Sequence, residues 1–431
     1  MLAGMKTAVG VSLAFALAGV GFAQAPPHTM FVKSGRLIFD TTQAPMDRGE
    51  IIITNGTVTA VGANLAQPAG SELVDLSADT VMPSLLDAHT HIAAGAFGAS
   101  PSYALAALMG SRDVAYARES GVAAMRVLGT DGFIDVALGD AIDQGAIPGP
   151  HIIPAAHAIS IPGGHADFLT LPPQFPLDDY YNPLHGFINS VADAEKAVHL
   201  QVKYGAKVIK IMASGGVLSP TDQFSSEQLS PAEMATIVQV AHGDHLKVAA
   251  HDENLQAILD ALHAGIDSCE HCSDLDQEAL DYMKAHHQVM DATIYVVDNL
   301  LANGARMHMP EYTLRKAHEL ATKHMASFQL ALRSGVIMDA GSDQSYAPGT
   351  GTIYNEVVSE VNHGATPQQA LTAATKNNAA LLELDQLGTL AVGKEGDLVA
   401  MTGNPLADIN AVSHLTTVVY QGKVVKPSAN Q

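Results

Sequence analysis

Short apolar segments of strand length lie near both ends of the chain. Between residues 30 and 61 they are interrupted by Asn55-Gly56, a dipeptide typical of two-residue β-hairpin turns. Three further strand-like segments lie between 397 and 425. We expect the two ends to meet in one small β-sandwich domain, built from residues 28–81 and 386–431, with the middle of the chain inserted between them.

The middle of the chain, residues 82–385, alternates apolar strand-like segments with stretches of helical length, such as 231–242 and 255–264. This alternation is typical of parallel βα units. Eight such strands with intervening helices close naturally into a (β/α)8 TIM-like barrel, so the predicted fold class is α/β. The predicted strands are 81–92, 121–128, 151–160, 206–213, 247–251, 267–271, 288–296 and 336–343.

The first 25 residues have the pattern of a secretory signal peptide. Lys6 is followed by an uncharged apolar run over 7–23, and small residues precede Pro26-Pro27. A membrane anchor is the alternative interpretation, but the run is at or below the length that a membrane span needs. We therefore expect a cleaved signal and an exported protein, periplasmic or secreted, that has no membrane contact after cleavage.

Composition excludes several classes of function. The chain has 431 residues, of which 47% are hydrophobic, and this content excludes intrinsic disorder. Its net charge of −22 argues against nucleic acid as a partner, since a polyanion requires a cationic face. The 20 His nearly equal the 22 Lys and Arg together, which directs attention to metal binding and proton transfer.

Ionisable residues recur at the carboxyl ends of the predicted strands, the face where barrels of this kind build their active sites. Each one alone has an ordinary structural explanation. Lys210 is harder to explain, because it lies within the apolar segment 208–212, where an unpaired ammonium group costs several kcal/mol. The converging residues are His89, His91, Lys210, His251, His271 and Asp343.

The residue types indicate the chemistry. Imidazole and carboxylate groups suit Zn²⁺ or a similar divalent ion. An ammonium group is a poor ligand, but a Lys210 that reacts with CO₂ becomes an anionic carbamate that can bridge two metal ions. A hydroxide activated by two bridged ions can attack a carbonyl group at neutral pH.

These residues stand in motifs that resemble the metal-dependent amidohydrolase superfamily, at 82–91, 208–211, 270–271 and 341–343. The resemblance implies a binuclear centre with two divalent ions, expected to be Zn²⁺. It implies that the more buried ion is bound by His89, His91 and Asp343, the other by His251 and His271, and that carboxylated Lys210 bridges them. It also implies that Asp343 is the catalytic residue, first as general base and then as general acid.

Three further motifs, at 129–132, 161–167 and 210–216, resemble the branch of Xaa-Pro dipeptidases and ochratoxinase-like amidases. That branch implies hydrolysis of a small-molecule amide between an acyl group and a C-terminal amino acid, with ochratoxin A, cleaved to ochratoxin alpha and phenylalanine, as the leading case. It also implies a homo-oligomer, up to an octamer. The alternatives are a cyclic amidase, lactonase or deaminase on the same barrel, and a non-catalytic exported protein that binds metal or solute.

Two residues outside the metal set are candidate substrate contacts. His165 follows a Gly-Gly turn after the third predicted strand, and it either contacts substrate or is a solvated loop residue. Tyr295, at the end of the seventh predicted strand, either donates a hydrogen bond to the scissile carbonyl or is an ordinary aromatic residue at the rim. Cys269 and Cys272 are expected to be unpaired, because residues i and i+3 of an extended strand lie about 10 Å apart.

Overall fold

A computed structural model describes residues 27–93, 102–168 and 179–425, so the predicted signal peptide at 1–25 lies outside the described residues. Within those ranges the chain forms sixteen strands and eleven α-helices. The strands are β1 (Thr29–Leu37), β2 (Met46–Asp47), β3 (Glu50–Thr54), β4 (Thr57–Gly62), β5 (Glu72–Pro83), β6 (Leu85–Thr90), β7 (Val122–Val127), β8 (His151–Pro154), β9 (Val208–Met212), β10 (Lys247–Asp252), β11 (Ser268–His271), β12 (Val289–Asp291), β13 (Met338–Asp339), β14 (Leu398–Met401), β15 (Leu415–Tyr420) and β16 (Lys423–Val425).

The helices alternate with the strands of the middle segment. They are α1 (Tyr103–Glu119), α2 (Ile134–Asp143), α3 (Val191–Lys203), α4 (Pro231–Gly243), α5 (Leu255–Ala264), α6 (Gln277–His286), α7 (Ile294–Asn303), α8 (Glu311–Ser334), α9 (Ile353–Asn362), α10 (Pro367–Thr372) and α11 (Asn378–Leu381). Local capping explains where α4 begins. Ser230 and Glu233 form a capping box there, and Pro231 lies in the first turn. In the three described ranges, none of the helices combines the length and the apolar character that crossing a bilayer requires.

Strands from both chain ends pair in one mixed sheet, in the order β16-β15-β14-β5-β1-β3-β4, with β2 beside β1. The junction is β5, which pairs parallel with β1 and antiparallel with β14. Asn55 and Gly56 both have positive φ, 51° and 82°, as the predicted two-residue turn between β3 and β4 requires. Among the described residues, the strands of the two chain ends pair as a single sheet. The second sheet that a β-sandwich requires is therefore not shown.

The middle segment forms two parallel sheets, β6-β7-β8 and β13-β12-β11-β10-β9. Two isolated parallel bridges connect the edges of these sheets: Thr90 of β6 pairs with Gln344, which lies beyond β13, and Ile211 of β9 pairs with Ile159, which lies beyond β8. All eight predicted strands are present, but most are shorter than predicted, because apolar residues continue into the connections. The first predicted strand is divided: residues up to Pro83 pair with β14 and belong to β5, and β6 begins at Leu85.

Strand alternation divides the parallel sheets into two chemically different faces. Ile209 and Ile211 of β9 pack into the large core cluster with helix residues such as Ile237 and Ile258. Lys210, between them, points to the opposite face, since successive side chains of a strand alternate. The apolar face therefore anchors the helices, and the other face is free to carry ionisable groups.

The side chain of buried Asn378 joins the two parallel sheets where β6 and β13 approach each other. Its Nδ2 donates to the carbonyl oxygens of Leu86 at 2.8 Å and Ala340 at 2.7 Å, and its Oδ1 accepts from the Ala340 N–H at 3.0 Å. Ala88 N also donates to Ala340 O at 3.0 Å. One amide group thus satisfies backbone groups of two chain segments that are distant in sequence.

We expect Asn378→Ala to lower the free energy of unfolding by about 3 kcal/mol, because buried backbone groups lose their partners. The shift of the denaturation midpoint measures this. The control is Gln256→Ala, which removes an exposed side chain bonded only to Asp260 one turn along α5, and which should cost less than about 0.5 kcal/mol. Equal shifts in the two variants would contradict this role for Asn378.

Candidate metal centre

The six predicted ligand residues converge at the carboxyl ends of the parallel strands. The Nε2 atoms of His89 and His91 are 3.3 Å apart, and they lie 3.6 and 3.3 Å from Asp343 Oδ1. The ring centroid of His271 lies 5.1 Å from that of His89 and 4.6 Å from that of His251. Residues separated by up to 254 positions in the chain (343 − 89) are therefore brought into one cluster.

Left-handed backbone conformations direct two of these side chains. His271, the last residue of β11, has φ 66°, and Asp343, which lies beyond β13, has φ 51°. Such values are uncommon for residues other than glycine and cluster at functional sites. The N–H of Asp343 donates to the carbonyl oxygen of His89 at 2.8 Å, which holds its carboxylate beside the His89–His91 pair. The predicted strand 336–343 ended at Asp343, but β13 ends at Asp339, so Asp343 lies in the loop that follows the strand.

The same backbone turn corrects the prediction for the cysteines. Cys269 and Cys272 form a disulfide, with their Cα atoms 5.7 Å apart. The prediction was wrong because it assumed an extended strand through Cys272. The strand ends at His271, and positive φ values at His271 and Cys272, 66° and 48°, turn the chain back. The disulfide therefore closes a four-residue loop around a candidate ligand.

His89, His91 and Asp343 form a donor set suited to one divalent ion. Their two imidazole nitrogens and one carboxylate oxygen lie within 4.8 Å of one another. Burial and the nearby Lys210 lower the pKa of His89 to about 4, so its imidazole is neutral, as a ligand must be. Burial alone would raise the pKa of Asp343, but His89 and His91 outweigh it and hold that pKa well below its usual range.

Lys210 is predicted to form a second donor set with His251 and His271. It is buried on β9, and among the described residues its Nζ has no hydrogen-bond partner. Burial lowers the pKa of Lys210 to about 8, although Glu270 and Asp343 favour its charged form. The pKa values of His251 and His271 are also well below the usual range, because burial is reinforced by neighbouring cationic or imidazole groups. An orphaned lysine and two neutral imidazoles fit a site that uses a modified lysine as an anion.

Groups behind the imidazoles fix their orientation. Glu270 Oε2 lies 2.8 Å from His89 Nδ1, and Glu270 Oε1 accepts from Arg126 NH2 at 2.8 Å. Thr293 Oγ1 lies 2.6 Å from His271 Nδ1. Partners of this kind set the tautomer of a metal-binding histidine and the direction of its ring.

These supporting residues were not predicted from the sequence. Glu270 is a partial exception, because it lies in the motif at 270–271, although no function was assigned to it. Arg126 offered a usable signal, since it is a cation inside the apolar segment Val122–Val127, as Lys210 is in its own strand. Buried Asp291 and Asp339 lie 4.0 Å from the Arg126 guanidinium. Three carboxyl groups, those of Glu270, Asp291 and Asp339, therefore share the guanidinium group of Arg126. Burial raises the pKa of Asp339 to about 7.

The two candidate substrate residues have different surroundings. His165 stacks on His251, with ring centroids 4.0 Å apart, and its Nδ1 lies 2.9 Å from Ser219 Oγ. Tyr295 is not at a strand end as predicted, because β12 stops at Asp291 and the residue lies in the first turn of α7. Its backbone N–H donates to Glu356 at 2.7 Å, and its ring packs so closely on Gly351 that a Cβ there would overlap it.

A cavity opens beside the ligand cluster. Its lining consists of His165, His251, His271 and Asp343 on one side, the aliphatic residues Val217, Leu218, Val296, Val297 and Leu300, and the polar residues Glu253, Ser273 and His324. Tyr295 is not in this lining, although its neighbours Val296 and Val297 are. Three candidate ligands, His251, His271 and Asp343, therefore share one cavity wall with aliphatic side chains.

Comparison with known proteins identifies the family. Residues 80–425 match the model of the amidohydrolase family. The chain belongs to the amidohydrolase family. It is 31% identical over 406 residues to an ochratoxinase of Aspergillus niger, an alignment that covers 88% of this chain and 82% of that one.

Solved structures of amidohydrolases superpose on most of the chain. A Xaa-Pro dipeptidase with methionine bound in its active site gives a TM-score of 0.83 at 28% identity, covering 92% of this chain and 99% of that one. A prolidase complexed with N-methylphosphonate-L-proline gives 0.84 at 28% identity, with coverage of 93% and 100%. The A. niger ochratoxinase gives 0.81 at 28% identity, with coverage of 94% and 97%. The predicted relationship to Xaa-Pro dipeptidases and ochratoxinase is confirmed.

We expect Thr293→Val in this amidohydrolase to weaken metal binding by about 10- to 100-fold, because the shape is kept but the hydrogen-bond partner of His271 is lost. Chelator competition followed by metal analysis measures the affinity. Thr236→Val, which removes a hydroxyl bonded to Ala232 O on α4, is the control and should bind metal like the wild type. A wild-type affinity in Thr293→Val would argue that His271 is not a ligand.

Proposed function

We propose that this amidohydrolase uses two divalent metal ions, expected to be Zn²⁺, to hydrolyse the amide bond between an acyl group and a C-terminal amino acid. The observation that carries the proposal is the clustering of four imidazoles, one carboxylate and an orphaned buried lysine beside a cavity that His251, His271 and Asp343 line. The similarity to a Xaa-Pro dipeptidase, a prolidase and an ochratoxinase supports the choice of bond.

The proposed ligand assignment follows the two donor sets. His89, His91 and Asp343 would hold one ion, His251 and His271 the other, and a CO₂-derived carbamate on Lys210 would bridge them. When bound, such ions supply Lewis-acid activation of a water molecule and of the substrate carbonyl. The orphaned Nζ of Lys210 and its lowered pKa of about 8 support the carbamate, because only the neutral amine reacts with CO₂.

Asp343 is the proposed proton carrier. Its carboxylate is ionised beside His89 and His91, and it lines the cavity, so it can accept a proton from the attacking water and deliver it to the leaving nitrogen. His165, which also lines the cavity, is proposed to contact the substrate. The ring of Tyr295 packs against Gly351. This packing favours an aromatic residue at the rim of the barrel over a residue that donates a hydrogen bond to the scissile carbonyl of the substrate.

Ochratoxin A is the concrete substrate proposed first, since it is an amide of phenylalanine and the chain is 31% identical to an ochratoxinase. Xaa-Pro dipeptides are the second group to test, because two of the similar structures are a Xaa-Pro dipeptidase and a prolidase.

We further propose that the two parallel sheets close into a (β/α)8 barrel spanning 82–385, beside a composite domain of 28–81 and 386–431. The bridges Thr90–Gln344 and Ile159–Ile211 support closure. Export directed by residues 1–25 and assembly into a homo-oligomer, up to an octamer, remain proposals from the sequence.

We expect Lys210→Ala to lose both metal retention and amide hydrolysis, with at least about a hundredfold loss of kcat/KM, because the bridging anion is gone. Metal content after gel filtration and released amino acid from ochratoxin A and Xaa-Pro dipeptides measure the two properties. The matched control is Lys207→Ala, an exposed lysine just before the same strand, which should keep both.

Full activity of Lys210→Ala would rule out the carbamate. Wild-type protein reconstituted with metal that releases no amino acid from any acyl amino acid, but opens a cyclic amide or a lactone or deaminates a substrate, would replace the proposed reaction. Metal binding without any hydrolysis would indicate a metal- or solute-binding protein.

A further inference from the structure

Glu253 is a buried acidic side chain in the cavity whose role is not explained by the metal centre. It follows β10, and its N–H donates to Ser214 Oγ at 2.8 Å, which fixes the backbone beneath the side chain. Glu253 is only 6% exposed, and its Oε2 has no hydrogen-bond partner in the described ranges. A buried carboxyl oxygen without a partner is costly, so it is a candidate for ligand contact.

Lys316 of α8, a buried cation whose charge acts on Glu253, does not form a hydrogen bond with it in the described residues. Its Nζ donates to the carbonyl oxygens of Gly216 and Ser219, both at 2.9 Å, and to Asp222 Oδ1 at 3.1 Å. An ammonium group has three hydrogens, and these three acceptors use all of them. Asp222 also balances the charge of Lys316. Glu253 is therefore left without a compensating cation.

The rest of the cavity does not supply that cation. Neither lysine nor arginine is present in its lining within the described residues. At the polar end, Ser273 Oγ bonds His324 Nδ1 at 2.8 Å, while His324 Nε2 has no partner there. The walls are aliphatic side chains, which suit a carbon skeleton rather than water. Among the described residues that line the cavity, neither lysine nor arginine is thus available to donate a hydrogen bond to Glu253.

Resting on the proposed function, we propose that Glu253 determines specificity by binding a protonated amine of the substrate. Amine-bearing substrates, such as dipeptides with a free amino terminus or amides of a basic amino acid, would then be preferred over amine-free acyl amino acids with the same skeleton. Glu253 would accept a charge-assisted hydrogen bond, which is stronger than a neutral one and strongest in a site that excludes water. Ochratoxin A, which has no amine, would be hydrolysed without this contact.

Two matched substrate pairs test the proposal. Alanyl-phenylalanine and N-propionyl-phenylalanine differ only by the amine of the acyl group, and N-propionyl-lysine and N-propionyl-norleucine differ only by the amine of the leaving amino acid. With metal-loaded wild-type protein we expect kcat/KM to be at least about tenfold higher for the amine-bearing member of one pair. No preference in either pair would overturn the proposal.

Glu253→Gln keeps the shape and removes the carboxyl group, which is the group that can carry a negative charge beside an amine. It is expected to bring the preferred pair to within about threefold of equality, mainly through KM of the amine-bearing substrate. Glu319→Gln, an exposed acidic residue paired with Arg315 on α8, is the matched control and should keep the wild-type ratio. A ratio that is unchanged in Glu253→Gln would also overturn the proposal.

Calorimetric binding keeps the test independent of turnover. L-alanine is compared with propionate, and L-lysine with L-norleucine, on wild-type and Glu253→Gln proteins. Binding of L-alanine about tenfold tighter than propionate, or of L-lysine about tenfold tighter than L-norleucine, which lacks only the side-chain amine, supports the proposal if it is lost in Glu253→Gln, even if no amide is hydrolysed. Failure of the proposed function would appear as absent hydrolysis of all four substrates, whereas failure of this inference would appear as equal binding within both pairs.

Discussion

The guanidinium group of Arg126 connects the parallel sheets through their polar face. From β7 it donates to the carbonyl oxygen of Ala88 on β6, to Ser268 Oγ on β11 at 2.8 Å, and to Glu270 Oε1 at 2.8 Å. Breaking a buried ion pair costs about 3–5 kcal/mol, because the remaining charge loses its partner. Glu270 is thereby held in place, and its other oxygen fixes the His89 ring. The orientation of the His89 ring therefore depends on this buried cation.

The charge balance around Arg126 also connects metal binding with stability. Asp291 and Asp339 are fully buried on the same polar face, and burial raises the pKa of Asp339 to about 7. Arg126 and Lys210 are the cations of this cluster. A carbamate on Lys210 would remove one of them and add an anion, so bound divalent ions would become the compensating charge. On this proposal the protein is expected to be most stable in its metal-loaded form.

Strained backbone accompanies the site. His271, Thr293 and Asp343 all have φ between 47° and 66°, and all lie where a strand gives way to its following loop. Each conformation directs a side chain toward the cluster: two candidate ligands and the hydroxyl that orients one of them. Such strain persists only when surrounding contacts determine it, as the Asp343–His89 backbone hydrogen bond and the Cys269–Cys272 disulfide do here.

Local chemistry explains which parts were predictable. The strands of the middle segment could be predicted because their apolar runs are bounded by helical periodicity. The candidate ligand residues stood out because ionisable groups within or at the ends of such runs are unusual. The strand lengths and the position of Tyr295 were not predicted correctly, because an apolar run in the sequence does not indicate where strand pairing stops. The disulfide was missed for a related reason, since the reversal of the chain at His271 depends on contacts far away in the sequence.

The sequence by itself determined the alternation of elements, the family resemblance and the six residues from His89 to Asp343, since all of these depend on residue type and spacing along the chain. Only the tertiary structure decided which groups support and surround them. Glu270 and Thr293 gain their roles by lying next to candidate ligands, His89 and His271, and Arg126 gains its role by holding Glu270. Glu253 becomes informative only through partners it lacks, because an unpaired buried oxygen is a property of packing and leaves no pattern in the sequence.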